Sequence, residues 1–371
     1  MLSKIKDLVS FPDLYELSGD VGYKQGQIGY HIQESNDLDA ADVVLLSCDE
    51  WRGSGQKVMT GNDQQVRNYL YNLYLWHTDI RIADAGMLSN GATLGDTYAA
   101  LRMVVHELTK AGKKVLVFGG SHDLMLGLSQ ALASANKTFE VTIADALINL
   151  DRESVFAADH FLFQLLTDEP NFVRHLNLFG FQSYFVNPQL LETIDKLRFD
   201  CVRVGKAQEY LHELEPAIRS SALFSFDLCA LAHAYAPAIQ LSPNGFTGQE
   251  ACKLMQFAGL SGINKVSAIS GFGQPDESGL TAMQIAHMIW YFIDGVQQSL
   301  REAPLTDRTE FNEYHTLCAE VDTVFLQSRH TGRWWMEMPN GSMLPCTYND
   351  YVLASQNELP ERWLRAQERL V

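Results

Sequence analysis

The sequence predicts an α/β fold built on a doubly wound, mostly parallel sheet, and three observations carry that prediction. Short apolar runs such as VVLLSC (43–48) and KVLVF (114–118) lack polar alternation, so they read as strands buried on both faces, as in parallel sheets. Segments with helical apolar spacing separate them, giving a β-α-β-α rhythm. Three runs end in residues capable of chemistry: KVLVFGGSHD at His122, FEVTIADALINLD at Asp145 and ALFSFDLCALAH at Asp227. In open α/β sheets the carboxyl ends of the strands are where ligands bind.

Taken in order, residues 1–40 form an N-terminal extension with a short helix expected near Ser3–Val9. After the first core strand, Asn62–Trp76 sets Val66, Leu70 and Leu73 at helical spacing, and Ile80–Ala83 suits a strand. Thr93–Ala111 reads as a helix, with Leu94, Tyr98, Leu101, Val105 and Leu108 on one face and Gly112 as its stop. KVLVF follows, then a helix over Leu124–Ala135. Asn177–Phe181 and Cys201–Arg203 read as short strands, Leu190–Lys196 and Glu213–Arg219 as helices, and Ser225–Asp227 as a strand end. Glu250–Gly259 is a helix, Lys265–Ile269 a strand and Thr281–Ser299 a long helix. Beyond Pro304, DTVFLQS and RWWMEMP suit a hairpin, and Tyr348–Arg369 a helical stretch broken at Pro360. The expectation is one domain, 1–371: an extension (1–40), a core (41–300) and a C-terminal extension of hairpin plus helix (301–371).

Composition excludes several classes. Hydrophobic residues at 46% supply a full core, and a net charge of −17 argues against nonspecific binding to nucleic acid or anionic membrane. No apolar run reaches the ~18 residues of a membrane span. The opening MLSKIKDLVSFPDLYEL lacks an apolar signal core and a small-residue cleavage site. Six cysteines without a C-x-x-C pair fit reduced thiols in a cytoplasm.

Singly, each site residue has an ordinary reading. Gly119-Gly120 permits a turn, His122 packs, and Asp145 and Asp227 serve as caps or turn residues. GGSHD is neither a Walker loop nor G-x-G-x-x-G. Together, at the ends of three predicted parallel strands, the residues point to a metal site.

Their order and context resemble the ureohydrolase superfamily of arginase, agmatinase and formimidoylglutamase. That family carries GG-x-H, D-A-H-x-D and S-x-D-x-D motifs in sequence; this chain reads GGSHD (119–123), DALIN (145–149) and SFDLC (225–229). GFTGQE (245–250) resembles the family's G-L-T-x-x-E, whose glutamate contacts an amidino group, and APA (236–238) echoes A-P-G. The resemblance spans roughly 40–300, and the closing stretch from RWWMEMP is similar to the tail of a formimidoylglutamase-like branch found in Bacteroidetes. It implies an arginase-like three-layer α/β/α fold with a mostly parallel eight-stranded sheet, and a homo-oligomer.

The resemblance also implies two bridged Mn²⁺ ions, and here the chain departs from the family. His122, Asp145 and Asp227 stand at ligand positions, whereas Leu147 replaces a histidine, Asn149 an aspartate and Cys229 an aspartate. One ion would keep His122, Asp145, Asp227 and the neutral amide of Asn149. The other loses an imidazole to an aliphatic chain and a hard oxygen to sulfur, which Mn²⁺ disfavours. The implied cofactor is therefore one Mn²⁺ or another divalent ion, or none. Glu250 matches the amidino-binding glutamate, with a helix N-terminal carboxylate as the plain alternative. No catalytic residue stands out. His160 lies near where arginases carry a proton-shuttling histidine, but its local motif does not match and a surface reading fits better. His233 reads as a loop residue, Asp123 as a helix cap, Cys229 as unreactive, and Trp334–Trp335 as fasteners of the tail. Two functions follow: a metal-dependent hydrolase of a linear amidine such as formimidoylglutamate, severely weakened by loss of the second ion, or an inactive relative that binds a small amidino or amino-acid ligand or a partner subunit.

Overall fold

The apolar runs assemble edge to edge. In the computed structural model, which describes residues 5–55, 62–76, 79–133, 137–318 and 321–368, nine strands form a central sheet. They are β1 (Val9–Ser10), β2 (Val43–Cys48), β3 (Ile82–Leu88), β4 (Lys114–Phe118), β5 (Phe139–Ala144), β6 (Val173–Phe181), β7 (Asp200–Arg203), β8 (Leu223–Asp227) and β9 (Val266–Ser270). Their spatial order is β1-β3-β2-β4-β9-β8-β5-β6-β7. Eight of them, β2 to β9, run parallel as expected. The ninth, β1, is a two-residue antiparallel addition at one edge.

Helices cover both faces: α1 (Leu14–Ser18), α2 (Ile28–Glu34), α3 (Asn62–Tyr71), α4 (Leu94–Lys110), α5 (Met125–Leu132), α6 (Ala157–Thr167), α7 (Pro188–Lys196), α8 (Val204–Glu209), α9 (Glu215–Ser220), α10 (Gly248–Leu260) and α11 (Leu280–Ser299). Strand residues alternate between two hydrophobic clusters because successive side chains point to opposite faces. Val43, Leu45, Leu116, Phe224 and Phe226 pack with Val66 of α3, Met255 of α10 and Ile289 of α11. Val44, Leu46, Val115, Val117 and Leu223 pack with Leu101 of α4, Leu126 of α5 and Phe161 of α6. Both faces being covered explains why β2, β9 and β8 up to Phe226 are apolar or small and buried along their whole length. Capping boxes start α4 (Thr93 with Asp96) and α10 (Thr247 with Glu250).

The N-terminal extension differs from expectation. Ser3 lies outside the described residues, and the expected helix is replaced by a turn at Ile5–Leu8 and by β1. The cause is Gly86 of β3: a Cβ there would lie 1.9 Å from Ser10 O, so its absence lets the extension close on the sheet edge. The helix over Asn62–Trp76 ends at Tyr71, because Leu75 N turns to bond Gly26 O at 2.8 Å.

The C-terminal extension contains more than a hairpin. Strands β10 (Phe311–Cys318), β11 (Val321–Ser328), β12 (Trp334–Glu337) and β13 (Met343–Cys346) form an antiparallel sheet in that order. Helices α12 (Tyr348–Ser355) and α13 (Glu361–Glu368) follow, separated by a break that includes Pro360. Phe325, Trp334, Met336 and Trp363 form its own small core. Buried Arg219 of α9 ties it to the main domain: Nη2 donates to Trp334 O (2.9 Å) and Cys346 O (3.2 Å), and the guanidinium lies 4.2 Å from the Trp335 ring centre. Trp335 therefore fastens the extension to the domain, while Trp334 belongs to the extension's own core.

Candidate functional site

The site begins where β4 ends. Gly119 and Gly120 have φ of 92° and 72°, and a Cβ on Gly120 would lie 2.3 Å from Leu124 Cδ1 and 3.0 Å from Cys48 O. Glycine alone meets the backbone conformation and the close approach together. The turn is tied down by Gly119 N to Ile269 O (2.9 Å), Ser121 N to Glu50 O (3.0 Å) and Gly271 N to Gly120 O (2.9 Å). It delivers His122 into the interior at 4% exposure, under Phe161 with ring centres 4.7 Å apart.

Asp145 and Asp227 arrive from the ends of β5 and β8, each 5% exposed. His122 Nδ1 lies 2.7 Å from Asp145 Oδ2 and 3.5 Å from Asp227 Oδ2. His122 Nε2 is 3.0 Å from Ser225 Oγ. Backbone amides hold the outer carboxylate oxygens: Leu147 N donates to Asp145 Oδ1 and Cys229 N to Asp227 Oδ1, both at 2.9 Å. Ser270 Oγ donates to Asp227 Oδ2 at 2.9 Å.

The electrostatics follow from this packing. Burial opposes charge on His122, but the hydrogen bond to Asp145 and the charges of Asp145, Asp227 and Asp123 outweigh it and raise its pKa. Burial and then the Asp227 charge raise that of Asp145. Burial, followed by the charges of Asp227 and Asp145, pushes the Cys229 thiol well above its ordinary value, which makes it a poor nucleophile.

Among the described residues, His122, Asp145 and Asp227 are the one group of three or more His, Cys, Asp or Glu side chains arranged to hold a metal ion, with ligand atoms all within 4.8 Å. An imidazole and two carboxylates form a donor set that suits one divalent ion and balances its charge. Asn149 Nδ2 donates to Ala158 O at 2.7 Å, while its Oδ1 is buried without a partner among the described residues. Among the described residues no further such group is found; Leu147 has no ligating atom, and Cys229 is not one of the three.

The remaining candidates are not among the three residues of that group. Glu250 Oε2 accepts from Thr247 N (2.7 Å) and Gln208 Nε2 (3.0 Å), so it closes the α10 capping box, and Oε1 has no donor among the described residues. His160 is half-buried on α6 beside Phe161, with Nδ1 enclosed and unpartnered, and no hydrogen bond joins it to the triad. His233 is an exposed loop residue whose Nδ1 bonds Ile239 O at 2.8 Å. Asp123 corrects the expectation of a helix cap. It is fully buried and accepts from Tyr98 and Ser121 hydroxyls, and no side chain caps α5. Burial draws Asp123 away from the helix amides toward hydroxyl partners.

Ser225, Ser270 and Phe161 were not read from the sequence as site residues. Ser225 carried a usable signal: it stands two residues before Asp227 on one strand and so shares its face. Ser270 and Phe161 come from β9 and α6, remote in sequence, and had none.

A profile of the Arginase family matches residues 57–294. Formiminoglutamase from Trypanosoma cruzi, in a structure with Mn²⁺, superposes with a TM-score of 0.65 at 17% identity, covering 78% of this chain and 99% of that one. Formimidoylglutamase from Bacillus subtilis gives 0.61 at 15% identity, covering 79% and 91%. A hypothetical agmatinase from Burkholderia thailandensis gives 0.59 at 17% identity, covering 71% and 88%. No curated protein matches the chain.

Proposed function

The chain belongs to the arginase family, and from that premise we propose that it is a formimidoylglutamase-like protein with a one-ion centre, which binds a small amidino or amino-acid ligand without hydrolysing it. One observation supports this reading: among the described residues, His122, Asp145 and Asp227 are the one group arranged to hold an ion, while Leu147 and Cys229 stand where a second ion would need ligands. An ion held by those three residues, with Asn149 Oδ1 as a fourth donor, would act as a Lewis acid and acidify a bound water, and a lone ion does so less than a bridged pair.

The chain's own groups then have definite tasks. In the neutral imidazole that an ion would need at Nδ1, Nε2 carries the proton and Ser225 Oγ, 3.0 Å away, is its acceptor, with Nδ1 facing the two carboxylates. Ser270 and the amides of Leu147 and Cys229 fix the carboxylate orientations. Phe161 covers the imidazole and excludes water from it. Glu250 Oε1, free of internal donors, is the oxygen offered to a cationic amidino group.

A second reading, slow hydrolysis of a linear amidine at a single ion, is favoured by the unpartnered Asn149 Oδ1. Mn²⁺ titration with elemental analysis, together with formimidoylglutamate turnover, tests both. The expected result is at most one tightly bound ion and no significant turnover. Two tightly bound ions would overturn the one-ion centre. Turnover abolished by Asp227→Ala would replace the inactive reading by the second.

A further inference from the structure

A cavity of about 520 Å³ lies between the main domain and the C-terminal extension. Its floor is formed by Glu140, His175 and Asp200, near the starts of β5, β6 and β7. The His122 centre is at the other end of the sheet: five residues of extended chain separate Glu140 from Asp145, roughly 16 Å. Pro345, Asp350, Arg362 and Arg365 of the extension close the cavity from above. Its volume falls in the range of small-molecule sites, about 300–1,000 Å³.

The polar lining is unbalanced in a definite direction. Five carboxylates, Glu140, Asp200, Glu213, Asp350 and Glu361, line the cavity with three cations, Lys206, Arg362 and Arg365; Arg174, paired with Glu140 from outside the lining, leaves an excess of one negative charge. Both arginines are already engaged. Arg362 Nε meets Asp350 Oδ2 (3.3 Å) and Nη2 donates to Glu213 O (3.0 Å). Arg365 Nη1 meets Asp200 Oδ1 (2.9 Å) and Nη2 donates to Glu361 Oε1 (2.7 Å). Lys206 is exposed at the rim, with its ammonium free to stay in water.

The acceptors are in surplus. Glu140 uses only Oε1 (to Arg174, 2.6 Å), Glu213 only Oε2 (from Thr347 Oγ1, 2.9 Å), and Asp350 only Oδ2. The other oxygen of each accepts no hydrogen bond among the described residues. The same cavity is lined by apolar Phe179, Leu214, Ala217, Leu344 and Leu353. Acceptors from the core and from the extension, together with apolar walls, suit a donor-rich cation with a hydrocarbon middle.

We propose that this cavity is a binding site for a small aliphatic diamine, held by carboxylates of the core and of the extension together. Such a ligand supplies donors to the unused carboxylate oxygens and joins the two parts of the chain. A matched five-carbon series tests the chemistry on the full-length protein by calorimetry: 1,5-diaminopentane, 5-aminopentanoate and glutarate. The expected result is one diamine per chain, with the zwitterion at least tenfold weaker and no binding of the dianion. Glu213→Gln weakens the diamine at least tenfold, Ala217→Phe fills the cavity and abolishes binding, and Asp227→Ala leaves binding intact because the His122 centre is not involved. Circular dichroism and melting curves verify that each variant is folded. Absence of diamine binding, preference for the zwitterion or dianion, or binding by the wild type that persists in both folded cavity variants would overturn the proposal.

Discussion

Replacing Leu147 by His, Asn149 by Asp and Cys229 by Asp in one chain is predicted to turn a one-ion centre into a two-ion centre, at a cost in the metal-free state. The centre already holds two carboxylates that share His122 Nδ1, 2.7 and 3.5 Å away, and Asp145 is already raised in pKa by burial and the Asp227 charge. Each additional carboxylate about 4 Å from one of these adds about 4 kcal/mol of repulsion at an effective dielectric of about 20. Part of that is relieved by proton uptake, leaving the metal-free variant several kcal/mol less stable. For a chain of this length each kcal/mol moves the melting temperature by about 2 °C or less, so the expected drop is about 5–10 °C. Mn²⁺ at 100 times its Kd returns about 2.7 kcal/mol per ion. Melting curves in chelator and in Mn²⁺, with elemental analysis, read both effects. The reasoning fails if the variant is insensitive to Mn²⁺, or if the wild type gains as much from Mn²⁺ as the variant does.

Three further outcomes are expected. Ser225→Ala leaves the His122 Nε2–H without its 3.0 Å partner in a buried site; it should cost about 1–3 kcal/mol in chemical unfolding and weaken ion binding about tenfold or more, and unchanged values would refute that role. Arg219→Met removes the bonds to Trp334 O and Cys346 O and leaves Glu215, its 3.2 Å ion-pair partner, buried; a loss of about 3–5 kcal/mol and faster proteolysis within 301–371 are expected, against no change if the extension docks by other means. Burial pushes the Cys252 thiol up to about 12, whereas an unfolded thiol titrates near 8.5. The unfolded chain therefore releases that proton first, and stability from this group is present below about 8.5 and lost as pH rises. Between pH 7 and pH 10 the wild type should lose about 2 kcal/mol more than Cys252→Ala; equal losses would contradict the assignment.

Much of the architecture was legible because both faces of the sheet are covered. Continuous apolar runs in β2, β4 and β8, and the helix start at Thr93, came directly from the residues. The triad was legible because each member terminates such a run. The rest depends on contacts distant in sequence. β1 exists because Gly86 leaves room at the sheet edge, which nothing around Val9 announces. β10 reads FNEYHTLC, with partly exposed residues interrupting any clear alternation, and becomes a strand through its pairing with β11. Asp123 has the residue type and position of a cap, yet Tyr98 of α4 supplies a better partner inside the protein. The cavity under the C-terminal extension has no sequence signature, since its lining comes from β5, β6, β7, α9, β13, α12 and α13.

The number of divalent ions bound per chain tests the central claim most directly. Purified protein equilibrated with Mn²⁺, desalted and analysed for metal should retain no more than one ion per chain, and Asp227→Ala should lower that content. Two retained ions per chain would contradict the reading of Leu147 and Cys229.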